Sequence, residues 1–363
     1  MRYRNVGEDG IKISELGLGT EYFRNQEAGS VAPIVGKAVD NGVNYIDLVF
    51  NMEEIIKGVK RGIEGKREDV NLVFHLGSSI YKGNYRKTRS MNKIRKQFDK
   101  TLDLLDTDYI DVANLHYIKK NEEYEKVTSP DNALDFAKQL KDENRAKLIC
   151  ISTHEPSIGI KAAKSGDFDL VMLQINMSNN AMPERDEMLR TCSREGVGVV
   201  AMKPYAGGKL LQQNRTVRIA QYQRAGKALK RKIPKTITPV QCLHYVLSQV
   251  GIKTVVPGVK NIEELDDALA YLKASEEEKD YSSELTKFKE YKEGVCVYCN
   301  HCLPCPSSID IGRVNRLLDL SKPKLSSSIK EEYDSLDAKA SECIECGKCE
   351  ERCPFGVEVI KRI

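Results

Sequence analysis

The feature that most limits how this chain can fold is an alternation, sustained over roughly its first 275 residues, of short β-rich runs with amphipathic helical stretches. The runs are ELGLGT, NYIDLV, VNLVFHLG, YIDVANLH, AKLICIST, LVMLQIN, VGVVAMKPY and IKTVVPGV. Between them lie helical patterns such as SMNKIRKQFDKTLDLLD, in which Ile94, Phe98, Leu102 and Leu105 recur at three- and four-residue spacing. NALDFAKQLKDENR, ERDEMLRTCSREG, PVQCLHYVLSQ and NIEELDDALAYLKAS repeat that pattern. Eight strand–helix units in about 250 residues is the count of an α/β (β/α)8 barrel. A doubly wound sheet would carry G-x-G-x-x-G, whereas Gly17 and Gly19 are followed at the third position by Tyr22. Barrels place their chemistry at the C-terminal ends of the strands. Those ends here carry Asp47, His75, His116, His154, Gln174 and Lys203, so three of the five histidines fall on the adjacent third, fourth and fifth strands. The same residue types suit a metal ion at His75, His116, His154 and Asp47, which is a minor reading.

The last seventy residues or so obey a different rule. They hold the runs CVYCNHCLPCP (Cys296, Cys299, Cys302, Cys305) and CIECGKCEERCP (Cys343, Cys346, Cys349, Cys353). The second has the ferredoxin spacing C-x2-C-x2-C-x3-C-P, and the first is one residue shorter in its last gap. Two-residue gaps let three thiolates converge on one cubane, so the pair predicts two 4Fe–4S clusters. Zinc would need two ions for eight thiolates. Disulfides are disfavoured because MRYRNVGEDG has no apolar core of a signal peptide. In two-cluster ferredoxins the fourth cysteine of each run serves the other cluster. That predicts one cluster on Cys296, Cys299, Cys302 and Cys353, and the other on Cys343, Cys346, Cys349 and Cys305. Cys150, Cys192 and Cys242 stand singly in apolar contexts and read as small buried hydrophobes. Thiolate-bound clusters imply a reducing compartment, hence a cytoplasmic location in an organism that avoids oxygen.

Composition sets further bounds. A net charge of +4 is too mild to argue for nucleic acid, and no apolar run approaches a membrane span. The expected organisation is a barrel over 1–275, a charged connecting segment over 276–294 and a small α-helical ferredoxin-like domain over 295–363, with SSSIKEEYDSLD as a helix between the cluster loops. Two Lys/Arg-rich stretches, YKGNYRKTRSMNKIRK after the third strand and GKLLQQNRTVRIAQYQRAGKALKRKIPKT after the seventh, would lie at the barrel mouth. There they would attract an anion.

These motifs together resemble the aldo-keto reductases, in the branch with a ferredoxin-like tail. MRYRNVGEDGIKISELGLGT is similar to that family's opening hairpin and first strand. TDYIDVANLHYI resembles its fourth-strand motif, LICISTH the fifth, DLVMLQIN the sixth, VVAMKPYAGGKL the seventh, and VLSQVGIKTVVPGVKNIEEL the eighth with its phosphate loop. The resemblance implies hydride transfer from NADPH, assisted by an aspartate, a tyrosine acid, a lysine and a histidine. Asp47 and His116 match two of these. The pattern D-T-A-x-x-Y is here D-L-V-F-N-M, which puts Met52 at the tyrosine position, and His75 replaces the lysine. A thioether cannot donate a proton, so the acid has no occupant at its usual place and ordinary NADPH-dependent aldehyde reduction is expected to be feeble. His75 or His116 would then supply the proton, with Lys203 as a second candidate.

The resemblance also places Ser152, Gln174, Pro257, Gly258 and Lys260 at nicotinamide and pyrophosphate positions. Ala268 replaces an adenine-contacting asparagine, and Glu264 would repel a 2′-phosphate unless Lys260 compensates. The leading functional reading is an oxidoreductase that couples the clusters to a small anionic, carbonyl-type substrate, with an external donor or acceptor such as ferredoxin. The alternative is an electron-transfer or docking subunit whose barrel has lost catalysis. Anaerobically purified protein should contain about eight iron and eight sulfide per chain. Iron and sulfide analysis checks this: Cys349→Ser should lose part of that content and Cys192→Ser none, whereas two zinc ions and no iron would refute it.

Overall fold

A computed structural model describes every residue except 82–83, 181, 183, 213–215, 221–228, 233–236, 283–293, 295, 297, 299–301, 323–324, 326 and 354–355. Fourteen strands are found among the described residues, and eight of them are the eight runs singled out above. The chain opens with a hairpin of β1 (Tyr3–Val6) and β2 (Ile11–Ser14), paired antiparallel. The parallel series is β3 (Leu18–Gly19), β4 (Tyr45–Leu48), β5 (Asn71–Leu76), β8 (Val112–Ile118), β9 (Leu148–Thr153), β10 (Leu170–Gln174), β11 (Gly198–Met202) and β14 (Ile252–Val256). Sheet order follows chain order, and bridges Leu16↔Val255 and Gly19↔Gly258 join the last strand to the first. The sheet is therefore a nearly closed (β/α)8 barrel.

Closure requires close backbone approach, which explains two glycines. A Cβ on Gly17 would lie 2.8 Å from Val256 Cγ1 and 2.9 Å from the Tyr45 carbonyl, and one on Gly19 would lie 3.2 Å from the Pro257 carbonyl. Below the mouth the barrel is filled by inward side chains that include Tyr45, Val73, Val112, Leu148, Cys150, Leu170, Met172, Val200 and Val256. Val6 and Ile13 of the opening hairpin join this cluster and plug the end where the strands start. Cys150, Cys192 and Cys242 are fully buried, as small hydrophobes should be.

The stretch after the third strand is more ordered than a basic loop. It forms the hairpin of β6 (Ser78–Tyr81) and β7 (Asn84–Lys87), with β6 continuing from β5. The stretch after the seventh strand holds a second hairpin, β12 (Thr216–Ala220) with β13 (Leu229–Lys232), and the rest of it lies mostly outside the described residues.

By internal contacts the described residues form two units, one of 1–174, 195–203 and 253–269, the other of 175–194, 204–252 and 270–363. The first holds the barrel strands. The second holds helices Arg185–Arg194 and Pro239–Leu247 and the cysteine-rich tail. Within the tail, helix Ile311–Ser321 precedes helix Ser327–Asp334, which forms where SSSIKEEYDSLD predicts it. Arg362 donates to both Asn315 and Asp319 at 2.6 Å, and the Tyr298 hydroxyl donates to Asp319 at 2.7 Å. These bonds tie the last helix and the first cluster loop to helix Ile311–Ser321. Of the connecting segment 276–294, residues 283–293 lie outside the described residues. Among the described residues no helix is long and apolar enough to cross a membrane.

Gly17→Ala should lower stability by about 1–3 kcal/mol through overpacking at the barrel seam. Gly29→Ala, whose added Cβ meets nothing within 4 Å, should leave it unchanged or slightly raised. Denaturant titration of both variants separates the two cases.

Candidate active site

The register of three neighbouring strands assembles the mouth. Asp47 on β4 pairs with Val73 on β5, and His75 stands two residues farther along. His75 pairs in turn with Asn114 on β8, and His116 stands two residues beyond that. Residues two apart on a strand face the same side, so the three side chains climb the inner wall together. They bond in sequence: His75 Nε2 lies 2.7 Å from Asp47 Oδ1, and His75 Nδ1 lies 2.8 Å from His116 Nδ1. Asp47, His75 and His116 are 6 %, 2 % and 5 % exposed, so water cannot stand in for these contacts. Burial first, then the positive charges of His75, Arg89, Lys87 and His154, hold the His116 pKa well below that of an ordinary histidine. His116 is therefore neutral near pH 7.

The chain of contacts ends on a residue that sequence reasoning missed. Tyr85 Oη, from β7, lies 2.6 Å from His116 Nε2. The loop after the second strand carries no tyrosine, but it holds the hairpin that does. Asn51 Nδ2 donates to the Ser78 carbonyl at 2.8 Å, and Ser78 Oγ donates to the Val49 carbonyl at 2.6 Å. The Phe50 ring packs on Tyr85 with centroids 5.0 Å apart. Met52 begins helix Glu53–Gly62 and packs on the apolar core between helices and strands. A phenol thus reaches the mouth from a different loop. The only hint in the sequence was a tyrosine within a stretch whose charges drew attention first.

The basic stretch is partly neutralised. Arg89 donates to the His116 carbonyl at 2.7 Å and to Glu123 at 2.8 Å, and Lys87 also pairs with Glu123. Beside it, β8 shifts register between Leu115 and Ile118 and puts Tyr117 at φ 48°. Such a bulge re-aims side chains. Tyr117 stacks on His154 at 4.7 Å, and the Lys119 and Lys87 ammoniums lie 4.7 and 5.4 Å from its ring centroid. Lys203, at φ 57°, stands by His154. Burial, then Lys203 and Lys119, lower the His154 pKa to about 4.

Four of the positions expected to hold a nicotinamide dinucleotide make contacts within the protein. Ser152 Oγ accepts from the Tyr117 N–H at 2.8 Å and donates to the Leu115 carbonyl at 3.4 Å, so it supports the bulge. Gln174 ends β10, and Pro257 accepts from the Gly19 N–H at the seam. A Cβ on Gly258 would lie 2.5 Å from Tyr22, whose ring covers that glycine. The Lys260 N–H donates to the Glu264 carboxylate at 2.9 Å.

In the tail, one cavity is lined by Cys343, Cys346 and Cys349 together with Cys305 and Cys302, among apolar side chains such as Ile309 and Ile344. Cys353 lies near enough to Cys296 to oppose its ionisation. Arg352 donates to the Pro304 carbonyl at 2.8 Å, which brings the end of one run against the other. Cys299 lies outside the described residues. Among the described residues, no three His, Cys, Asp or Glu side chains are grouped as for a single metal ion, at the mouth or in the tail.

The family model for the aldo/keto reductase family matches residues 15–288, about three-quarters of the chain. The chain belongs to that family. A second model, the 4Fe-4S dicluster domain, matches 294–357. Among curated relatives, the uncharacterized oxidoreductase YqkF of Bacillus subtilis is 26% identical over 284 residues, spanning 73% of this chain and 89% of that one. L-galactose dehydrogenase of Arabidopsis thaliana is 24% identical over 287 residues, 74% and 86% respectively. Among solved structures, the holo form of aldo-keto reductase AKR11C1 from Bacillus halodurans superposes with a TM-score of 0.63 at 21% identity, covering 81% of this chain and 99% of that one. This family member is an oxidoreductase with a 4Fe–4S dicluster domain at its C-terminal end.

The lowered pKa values of His116 and His154 have a consequence for stability. Each binds a proton less readily folded than unfolded, so stability is intact above the unfolded value of about 6.5 and declines as pH falls toward the folded value. The melting temperature should therefore drop between about pH 6.5 and 4, and less steeply in His154→Gln. Parallel melting curves for the two proteins across that range would contradict this.

Proposed function

We propose that this aldo-keto reductase family member moves electrons between an external one-electron carrier of ferredoxin type and a small anionic carbonyl compound at the barrel mouth. One observation carries the reading: the unbroken run of hydrogen bonds from Asp47 through His75 to His116, buried at the end of the barrel where this fold does its chemistry. A docking platform that had lost catalysis would have no need to bury two histidines and a carboxylate in mutual contact, since polar groups are costly to bury. Asp47 orients His75, and the histidine pair stores or releases the proton that the substrate oxygen exchanges.

Preference for an anion rests on Lys119, over the Tyr117 ring, and Lys203, by His154, at the rim beside the relay. Met52 and His75, standing where the family has its tyrosine and lysine, argue against NADPH as the principal reductant. Clusters, when bound, supply one-electron steps. The eight cysteines would hold two of them, Cys343, Cys346, Cys349 and Cys305 one, and Cys296, Cys299, Cys302 and Cys353 the other. The presence of Cys305 with Cys343, Cys346 and Cys349 in one cavity, which Cys302 also borders, supports that crossed assignment, as does the closeness of Cys296 and Cys353. The corresponding organisation is a reductase barrel over 1–275, a connector over 276–294 and the cluster domain over 295–363.

The test uses anaerobic, cluster-replete protein with reduced methyl viologen as donor and a panel of 2-oxo acids and uncharged aldehydes. Viologen should be consumed fastest with an anionic carbonyl, and NADPH alone should serve poorly. His116→Ala should slow turnover by at least about 10²-fold with iron content intact. Robust turnover with NADPH alone would restore the conventional hydride mechanism, and no turnover with either donor would favour an electron-transfer subunit.

A further inference from the structure

We infer that Tyr85 is the residue that exchanges a proton with the substrate oxygen, and that it terminates a one-proton wire whose polarity reverses as a whole. The inference rests on the proposed site at the mouth and adds to it a catalytic residue from outside the expected positions. The wire has four members and three bonds: Tyr85 Oη to His116 Nε2, 2.6 Å; His116 Nδ1 to His75 Nδ1, 2.8 Å; His75 Nε2 to Asp47 Oδ1, 2.7 Å.

Donor and acceptor roles follow from one end. An ionised Asp47 can only accept, so His75 Nε2 carries a hydrogen. Asn114 Nδ2 lies 3.2 Å from the same nitrogen, and two donors cannot face each other, so the amide is to be turned over, which brings its otherwise unpartnered oxygen to the His75 N–H. A neutral His75 offers a lone pair at Nδ1, so the Nδ1 of His116 must donate. His116 is then left with a lone pair at Nε2, which takes the Tyr85 hydrogen. In this form every hydrogen points inward, and the Tyr85 oxygen turns a lone pair to the mouth. It is set to accept a proton from a substrate hydroxyl.

One added proton reverses the chain. With both nitrogens of His75 protonated beside Asp47, the Nδ1 of His75 donates to His116, the Nε2 of His116 donates to Tyr85 Oη, and the Tyr85 hydrogen is freed toward the mouth. It is now set to give a proton to a substrate carbonyl. In that direction the Tyr85 O–H bond breaks and a new O–H bond forms on the substrate. The phenolate takes the hydrogen of His116 Nε2, and His116 takes that of His75 Nδ1. The carbonyl also gains two electrons from two equivalents of a low-potential one-electron donor, and the hydrogen on carbon comes from a solvent proton. An alcohol is formed and the wire returns to its inward form.

The groups around the wire differ from end to end. Asp47 meets His75 at the inner end, with the Tyr45 phenol and the Cys150 thiol nearby. Arg89, Lys87 and His154 face His116 and oppose charge on it. Around Tyr85 stand Arg89, Tyr117, Glu21 and Glu123, with charges of both signs. Protonation of the wire should therefore govern direction, with carbonyl reduction rising as pH falls and alcohol oxidation rising with pH.

Two readouts test this on cluster-replete protein. Neutron diffraction of crystals at mildly alkaline pD should place deuterons on Tyr85 Oη, His116 Nδ1 and His75 Nε2. A deuteron on His116 Nε2 under those conditions would overturn the inward polarity. Tyr85→Phe, driven by reduced methyl viologen, should lower kcat by about 10²-fold or more with KM and iron content little changed, and should flatten the opposed pH profiles. A variant as active as wild type, with its pH dependence intact, would remove Tyr85 from the chemistry while leaving the proposed function standing. Wild-type protein inert to every carbonyl, with the deuterons as stated, would instead sink the proposed function and uphold the wire.

Discussion

Two imidazoles that meet nitrogen to nitrogen at 2.8 Å, each almost wholly buried, can share one hydrogen between them and no other number. Two hydrogens would collide, and none would set two lone pairs against each other in a medium that screens little. The rest of the mouth depends on that requirement. It makes one histidine the donor and the other the acceptor, and so fixes what each must meet on its far side. Asp47 meets one far side and Tyr85 the other. The four groups are therefore linked in one chain of hydrogen bonds, in which the hydrogen placement at one end fixes it at the other.

That unit explains why departures from the family's usual residues do not leave the site empty. His75 stands where a lysine is expected, but an imidazole bridges two partners with two nitrogens, whereas an ammonium only donates. The missing tyrosine is replaced in space and not in sequence. The segment Val49–Asn51, freed from supplying a phenol, bonds to Ser78 and lays Phe50 against Tyr85. The bulge at Tyr117 is held by Ser152.

The tail follows a simpler logic. Cysteines at fixed short spacing carry their chemistry in the sequence itself, because the gap between ligands is set by the loop that spans a cubane. Folding adds the pairing of the two runs. Arg352, reaching the carbonyl of Pro304, and the cavity shared by Cys305 and the second run express it. Clusters in one chain with a proton wire give the protein separate devices for electrons and for protons.

The sequence by itself determined the barrel, because hydrophobic periodicity is local and repeats eight times, and it marked the tail as an iron–sulfur domain for the reason just given. It also pointed to Asp47, His75 and His116, since strand ends can be read from the pattern. It could not show that these three are bonded in a row. That depends on the two-residue stagger between neighbouring strands, which exists only once the sheet has rolled up. It could not reveal Tyr85, which enters through a hairpin whose anchors, Asn51 and Ser78, lie 27 residues apart in the chain. Nor could it show that the Tyr22 ring lies against Gly258 or that Glu264 takes the Lys260 N–H. Each of these is a contact between segments with no shared period, and such contacts are decided by packing in three dimensions.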